Sequence, residues 1–230
     1  MGDLDSAFRG CVVCLDVTEK VVEMAILKKA ELIISHHPII FNPLKKISNK
    51  GLISKILKNN ISVISAHTNL DKAKSGVSFF LAKALGLLNV EVLKESMGYG
   101  RIGELEESLS FLEFLKYVSK KLKTPVKAVK TSKQIKKVAV VSGSGYFAFN
   151  AALKKGADAL VTGESKHNVL VEALEKDFCF VDASHFATEN VFCEPLVEIL
   201  NERFKNNGVS FFKAEQKSPA VFAFGEEVWG

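Results

Sequence analysis

The chain is short of most features that mark a secreted, membrane-bound or fibrous protein. Its 230 residues include four cysteines, five prolines, three methionines and one tryptophan. No apolar run approaches the roughly 18 residues that cross a bilayer, so no membrane segment is expected. The first residues carry no basic stretch followed by an apolar one, so no secretory leader is expected. Met1-Gly2 with Ser6 meets only the loose pattern for N-myristoylation. Cys11 and Cys14 form a C-x-x-C, but inside an apolar run that reads as a strand. Residues three apart on a strand face opposite ways, which suits neither a metal clip nor a redox pair. Cys179 and Cys193 likewise read as small buried hydrophobes, and a reduced, cytoplasmic protein is expected. Charge of one sign is also scarce: 31 Lys and Arg against 26 Asp and Glu leave a net +5. That balance suits a small anionic substrate but is too weak to indicate nucleic acid. Lysines 120, 121, 123, 127, 130, 133, 136 and 137 cluster without interleaved aromatics, which speaks against a single-stranded nucleic-acid surface. No Walker sequence and no G-x-S-x-G occur, so a P-loop nucleotidase and a serine hydrolase of the nucleophile-elbow type are set aside.

What is present is an ordinary globular composition, 47% hydrophobic and 25% charged, which excludes a disordered or collagenous chain. Short apolar runs alternate with longer amphipathic ones. Strands are expected at 10–16, 31–35, 61–66, 136–142, 157–162, 178–182 and 209–213. Helices are expected at 18–30, 50–59, 76–87, 110–121, 146–155, 165–175 and 188–204. This alternation predicts βαβ units and mainly parallel sheets. The two halves also read as copies. AILKKAELIISHHP matches AALKKGADALVTGE, and ISVISAHTNLD matches FCFVDASHFATE. The expected fold is therefore two pseudo-symmetric α/β lobes, 1–98 and 136–230, joined by a connector at 99–135.

Four of the five histidines follow predicted strands or turns near their ends. In parallel sheets, that is where the ligand crevice opens. His36 and His37 follow ELIIS, His67 follows ISVISA and precedes Asp71 by four residues, and His185 precedes Glu189 by four. At i, i+4 on a helix, His185 and Glu189 share a face and can chelate one ion. Imidazole with carboxylate, and no thiolate, suits zinc, iron, manganese or nickel. Four histidines and two carboxylates suit two ions better than one. A lone histidine at a strand end is usually just hydrogen-bonded, and the pattern rather than any one residue carries the metal reading. Gly143-Ser144-Gly145 opens a helix after a strand; a tight turn is the expected role, a phosphate cradle the alternative.

SHHPIIF with PLKKI, AHTNLD, GSG, DALVTGESKHN and SHFATE, in that order, resemble the NIF-three-like family, known also as GTP cyclohydrolase type 2 homologues. The resemblance runs from about Cys11 to the C-terminus. It implies a two-lobed α/β fold with a dinuclear metal site in the cleft between lobes, and a ring-shaped homohexamer. It implies His36, His37, Asp71, His185 and Glu189 as ligands, Asp71 bridging, and His67 as ligand or close neighbour. Glu164 and His167 match a polar turn facing the metals and are the candidate catalytic pair. Family members usually carry a further helix before the first strand, so roughly two dozen residues are expected to be missing, and the connector is too short for the domain that larger members insert. A metal-dependent hydrolase acting on a nucleotide or similar phosphate-bearing molecule is the first expectation. A metal carrier, regulator or scaffold is the second, and the apolar 221–224 segment with Trp229 is expected to pack on the core or on a subunit interface.

Overall fold

The computed structural model describes residues 1–3, 5–224 and 227–229. Strands run β1 (Gly10–Cys14), β2 (Leu32–Ser35), β3 (Ser62–Ser65), β4 (Leu88–Leu93), β5 (Gly100–Leu109), β6 (Lys127–Val129), β7 (Ile135–Val141), β8 (Ala159–Thr162), β9 (Cys179–Asp182), β10 (Ser210–Lys213), β11 (Phe222–Phe224) and β12 (Glu227–Trp229). Helices run α1 (Glu19–Leu27), α2 (Leu52–Lys58), α3 (Thr68–Lys72), α4 (Val77–Ala84), α5 (Phe111–Leu122), α6 (Phe149–Lys154), α7 (His167–Glu175), α8 (His185–Glu189) and α9 (Cys193–Arg203). The chain divides into two units, one of residues 1–70 with 193–216, the other of 71–192 with 217–230.

The first unit holds a four-stranded, all-parallel sheet in the order β10-β1-β2-β3. Thr18 starts α1 by accepting the Val21 N–H at 3.4 Å, and Glu19 sits in the first turn, where a negative charge offsets the helix dipole. Val21, Val22 and Ala25 bury one stripe of α1 against Val12, Cys14, Ile33 and Val63. Such side chains contribute about 1.5–3 kcal/mol each on burial. α9 packs along β1 and β10, and the Asn201 amide exchanges hydrogen bonds with the backbone of Phe211.

The second unit holds a six-stranded mixed sheet in the order β4-β5-β7-β8-β9-β6. Only β7-β8 and β8-β9 pair in parallel; β4-β5, β5-β7 and β6-β9 are antiparallel. Alternation along the central strands feeds two cores. Val138, Val140, Val161 and Val181 face Phe114 and Val118 of α5, while Ala139, Leu160 and Phe180 face Phe149 of α6 and Ala173 of α7.

Several expectations change. The second sheet is mixed, because the supposed connector contributes β5, β6 and α5 to it; a 10-residue β5 cannot leave its ladder groups unpaired in a linker. The first lobe does not run to residue 98, since β4 pairs with β5, and the second does not own the end of the chain, since β10 pairs with β1. The single helix expected over 188–204 is α8, a 3-10 turn at Asn190–Phe192 and α9, broken at the boundary of the units. The side chains of 223, 224 and 229, on which the expected apolar packing of the C-terminus falls, lie outside the described residues.

The internal repeat is real, but its register differs by one residue from the sequence match. Cys14 pairs with Ser35 and Ser35 with Ser65 in the first copy; Val141 pairs with Thr162 and Thr162 with Asp182 in the second. Glu31 accepts the N–H groups of Arg9 and Gly10 (2.9 and 3.1 Å), as Asp158 accepts those of Lys136 and Lys137 (3.0 and 2.8 Å). Left-handed Lys29 (φ 54°) and Gly156 (φ 68°) each end a helix just before a residue that bonds back five positions, Ala30 to Ala25 and Ala157 to Ala152. Lys29 therefore answers to Gly156, whereas the identical Leu-Lys-Lys letters set Lys29 against Lys155.

Candidate functional site

In the first unit, the site grows from the ends of β2 and β3. Ser35, fully buried at the end of β2, donates its hydroxyl to the His37 carbonyl at 2.8 Å and lies 3.0 Å from the Ser65 hydroxyl, fixing the turn that carries both histidines. His36 is fully buried, with its Nδ1 2.9 Å from the Ala66 carbonyl. A carbonyl only accepts, so Nδ1 carries the proton and Nε2 is the lone-pair atom. His37 Nδ1 lies 2.8 Å from the Asp16 carboxylate, the kind of contact that fixes the orientation of a metal-binding imidazole. His67 precedes α3, its ring 5.1 Å from that of His36 and 5.5 Å from that of His37. One ring nitrogen from each of the three lies within 4.8 Å of the others. Phe41 meets the His67 ring edge-on at 6.1 Å. Asp71, the first residue of the second unit, stands four residues after His67 in sequence, on α3, half-buried.

In the second unit, the site is built on α8. His185 is its first residue and Glu189 its last, and their Nε2 and Oε2 atoms are 2.9 Å apart, as the i, i+4 spacing predicts. Glu164, from the turn after β8, lies 2.7 Å from His185 Nδ1. The Glu189 carboxylate, 5% exposed, is the main cause that raises the His185 pKa to about 9, with Glu164 adding and burial opposing. Glu164 is held below its usual range, chiefly by the Ser144 hydroxyl and then by His185. It is an anion at neutral pH and accepts the His185 Nδ1 proton.

Gly143-Ser144-Gly145 serves α8 rather than an anion. The Gly143 N–H donates to Thr188 Oγ1 (3.1 Å) and the Gly145 N–H to Thr162 Oγ1 (2.9 Å), so both donors are already used. Gly143 has φ 61°, and a Cβ there would come within 2.1 Å of Glu189 Oε1. At Gly163 a Cβ would lie 2.5 Å from Thr188 Oγ1 and 2.7 Å from the His185 Cα. The glycines let α8 press against the strand ends. His167 opens α7, exposed, and shares in none of the donor groupings among the described residues. Asp16 and Arg101 escaped the sequence reading. Asp16 is found only by the fold, since it follows β1 while its histidine follows β2. Arg101 is 1% exposed and donates to the carbonyls of Ala73, Lys74, Gly98 and Gly100, tying the residues that follow Asp71 to the turn before β5.

The donor set fits a divalent transition metal. It is nitrogen and carboxylate oxygen without thiolate: the four cysteines are buried, and burial pushes Cys11, Cys179 and Cys193 up to about 12. No helix of the described residues is long and apolar enough to cross a membrane.

The sequence profile of the Duf34/NIF3 (NGG1p interacting factor 3) family matches residues 1–219. The chain belongs to this family. Among Duf34/NIF3 relatives, a "GTP cyclohydrolase 1 type 2 homolog" from Nostoc sp. is 35% identical over 200 residues, 82% of this chain and 76% of that one. The Staphylococcus aureus hypothetical protein SA1388 has a crystal structure that matches with a TM-score of 0.89 at 27% identity, over 97% of this chain and 90% of that one. Reduced HcgD from Methanocaldococcus jannaschii matches with a TM-score of 0.73 at 31% identity, over 93% and 86%. The Duf34/NIF3 membership expected from the SHHPIIF and SHFATE motifs thus holds over nearly the whole chain.

Proposed function

We propose that this Duf34/NIF3 chain holds two divalent transition-metal ions on His36, His37, His67, Asp71, His185 and Glu189, and that it is a metal-dependent hydrolase of a nucleotide or another small phosphate-bearing molecule. The observation that carries this reading is the first unit's histidine triad, in which three imidazole nitrogens converge within 4.8 Å. Two of those rings have Nδ1 held by Ala66 and Asp16. The relatives' name, GTP cyclohydrolase 1 type 2 homolog, and the net +5 charge support an anionic, nucleotide-like substrate. When bound, such ions supply an activated water and polarise the electrophile. Asp16 orients His37, and the Glu164 carboxylate accepts the hydrogen bond of the His185 Nδ1–H, orients that ring and is the first candidate acceptor for a proton released at the site. His167, three residues beyond Glu164, is the second candidate proton carrier. A homohexamer and a cytoplasmic location belong to the same reading, on the family resemblance alone.

Elemental analysis of protein purified without added metal should find about two transition ions per chain. Asp71→Ala should lose metal and turnover on a nucleotide panel together. Retention of both ions by Asp71→Ala would remove Asp71 from the ligand set. Tightly held metal with no turnover on any nucleotide would overturn the hydrolase and leave a regulatory or scaffold role; readily released metal would point to a carrier. Sedimentation analysis tests the hexamer.

A further inference from the structure

Beside Glu164, the second unit gathers side chains that neither donor set uses. Tyr146 and Phe147 follow the Gly143–Gly145 turn, with ring centroids 6.5 Å apart, and Tyr99 meets Phe147 edge-on at 5.9 Å. Two lysines lie over these rings. Lys166 Nζ is 4.3 Å from the centroid of Tyr146, and Lys72 Nζ is 4.6 Å from that of Tyr99. Among the described residues neither ammonium is paired with a carboxylate. Both lysines and Phe147 are exposed, and both tyrosines half-buried.

Their placement ties them to the site. Lys166 is two residues past Glu164, and Tyr146 two past Ser144, whose hydroxyl holds Glu164. Lys72 is next to Asp71. The backbone that carries Lys72 and Tyr99 is also held by Arg101. A buried guanidinium is costly unless its donors are met, and Arg101 meets them with carbonyls on both sides of the Lys72–Tyr99 pair, Ala73 and Lys74 on one, Gly98 and Gly100 on the other. A solvated surface lysine needs no such anchoring. Aromatic faces offer stacking to a planar base, and ammonium groups offer charge-assisted contacts to phosphate oxygens.

We infer that Tyr99, Tyr146 and Phe147 with Lys72 and Lys166 form a recognition shelf for a mononucleotide, the rings taking the base and the lysines the phosphates. This rests on the proposed function for the choice of substrate class, but the binding itself needs no metal. The test is calorimetric titration of GTP, ATP and guanosine into wild type, Lys72→Met/Lys166→Met and Lys72→Arg/Lys166→Arg, each with and without chelator, with metal content measured alongside. GTP or ATP should bind wild type with or without metal. The double Met variant should weaken that binding by roughly tenfold or more, as expected for lost charge-assisted contacts, leave guanosine unchanged and keep its metal. The double Arg variant should stay close to wild type. Equal GTP affinity in the Met variant, or no binding of either triphosphate to wild type at millimolar concentration, would overturn the shelf. So would affinity that climbs with oligonucleotide length, which would mark a nucleic-acid surface. Lysine-dependent GTP binding in a chain that holds no metal would leave the shelf standing while the metal reading fails.

Discussion

The two copies of the βαβαβ repeat share a backbone and divide their chemistry differently. In the first, β1 leads to Asp16, β2 to His36-His37, and β3 to His67. In the second, the equivalent places hold Gly143, then Gly163-Glu164, then Ser184 before His185. Both copies make one carboxylate–imidazole pair between neighbouring strand ends. The first sets it between β1 and β2 (Asp16–His37, 2.8 Å), the second one strand over, between β8 and β9 (Glu164–His185, 2.7 Å). The caps differ as well. The Gln216 amide closes the N–H groups after β1, accepting from Leu15 at 2.8 Å and Asp16 at 3.4 Å. The hydroxyls of Ser78 and Thr188 do so after β7, accepting from Ser142 and Gly143, each at 3.1 Å. Backbone hydrogen-bonding needs are the same in both copies and were met independently. The glycines mark where the second copy gave up side chains to bring α8 close.

That asymmetry predicts the largest effect. Gly143→Val combines a left-handed φ with a collision at Glu189, and should cost at least about 3 kcal/mol or displace α8 altogether. Asp16→Ala, at the equivalent place, meets neither obstacle and should cost less than about 1 kcal/mol in the metal-free protein. Urea unfolding of the two variants measures the difference; similar losses would mean that the copies are built alike at this position. Arg101→Met comes next. It leaves the carbonyls of Ala73 and Gly100 without their donor and should cost about 2–3 kcal/mol, more than Arg101→Lys, which keeps the charge.

The displaced carboxylate pairs can be compared directly. If both orient ligands, Asp16→Asn and Glu164→Gln should each weaken metal retention about 10–100-fold in a chelator competition, with little loss of stability. An effect from only one of them would show which copy controls the metal.

The strands and the order of the histidines were legible because both follow from local pattern: apolar runs of four to seven residues, then a polar turn. The i, i+4 contact of His185 with Glu189 followed from helix geometry alone. Three features were not legible. β4 and β6 are exposed edge strands with weak alternation, and Lys127 in β6 falls inside the lysine cluster of 120–137. β10 joins β1 across nearly the whole chain, a pairing no local window contains. Asp16 finds His37 only through the β1–β2 register, so its role is a property of the fold. The one-residue error in the repeat has the same origin. Letters in a helix were matched, while the left-handed residue that closes the helix sets where the next strand begins.

The smallest effect sharpens the part the copies share. Glu31 and Asp158 tie the start of one strand to the start of the next through two N–H groups each. Those of Arg9 and Gly10 hold Glu31 below its usual value of 4.5, the Arg9 N–H being the larger cause. A carboxylate whose pKa is lowered by folding stabilises the fold above its unfolded pKa, and this contribution is lost as pH falls through the folded value. Glu31 is only half-buried, so solvent screens the gain to a fraction of 1 kcal/mol. Unfolding midpoints of wild type and Glu31→Gln should therefore differ most above about pH 5 and converge as the pH drops through the 4s and below. Asp158→Asn should cost a similar fraction at neutral pH. A Glu31→Gln difference that persists unchanged at pH 3 would mean that the protonated carboxyl still holds what the amide cannot, and that the shared tie depends on geometry rather than charge.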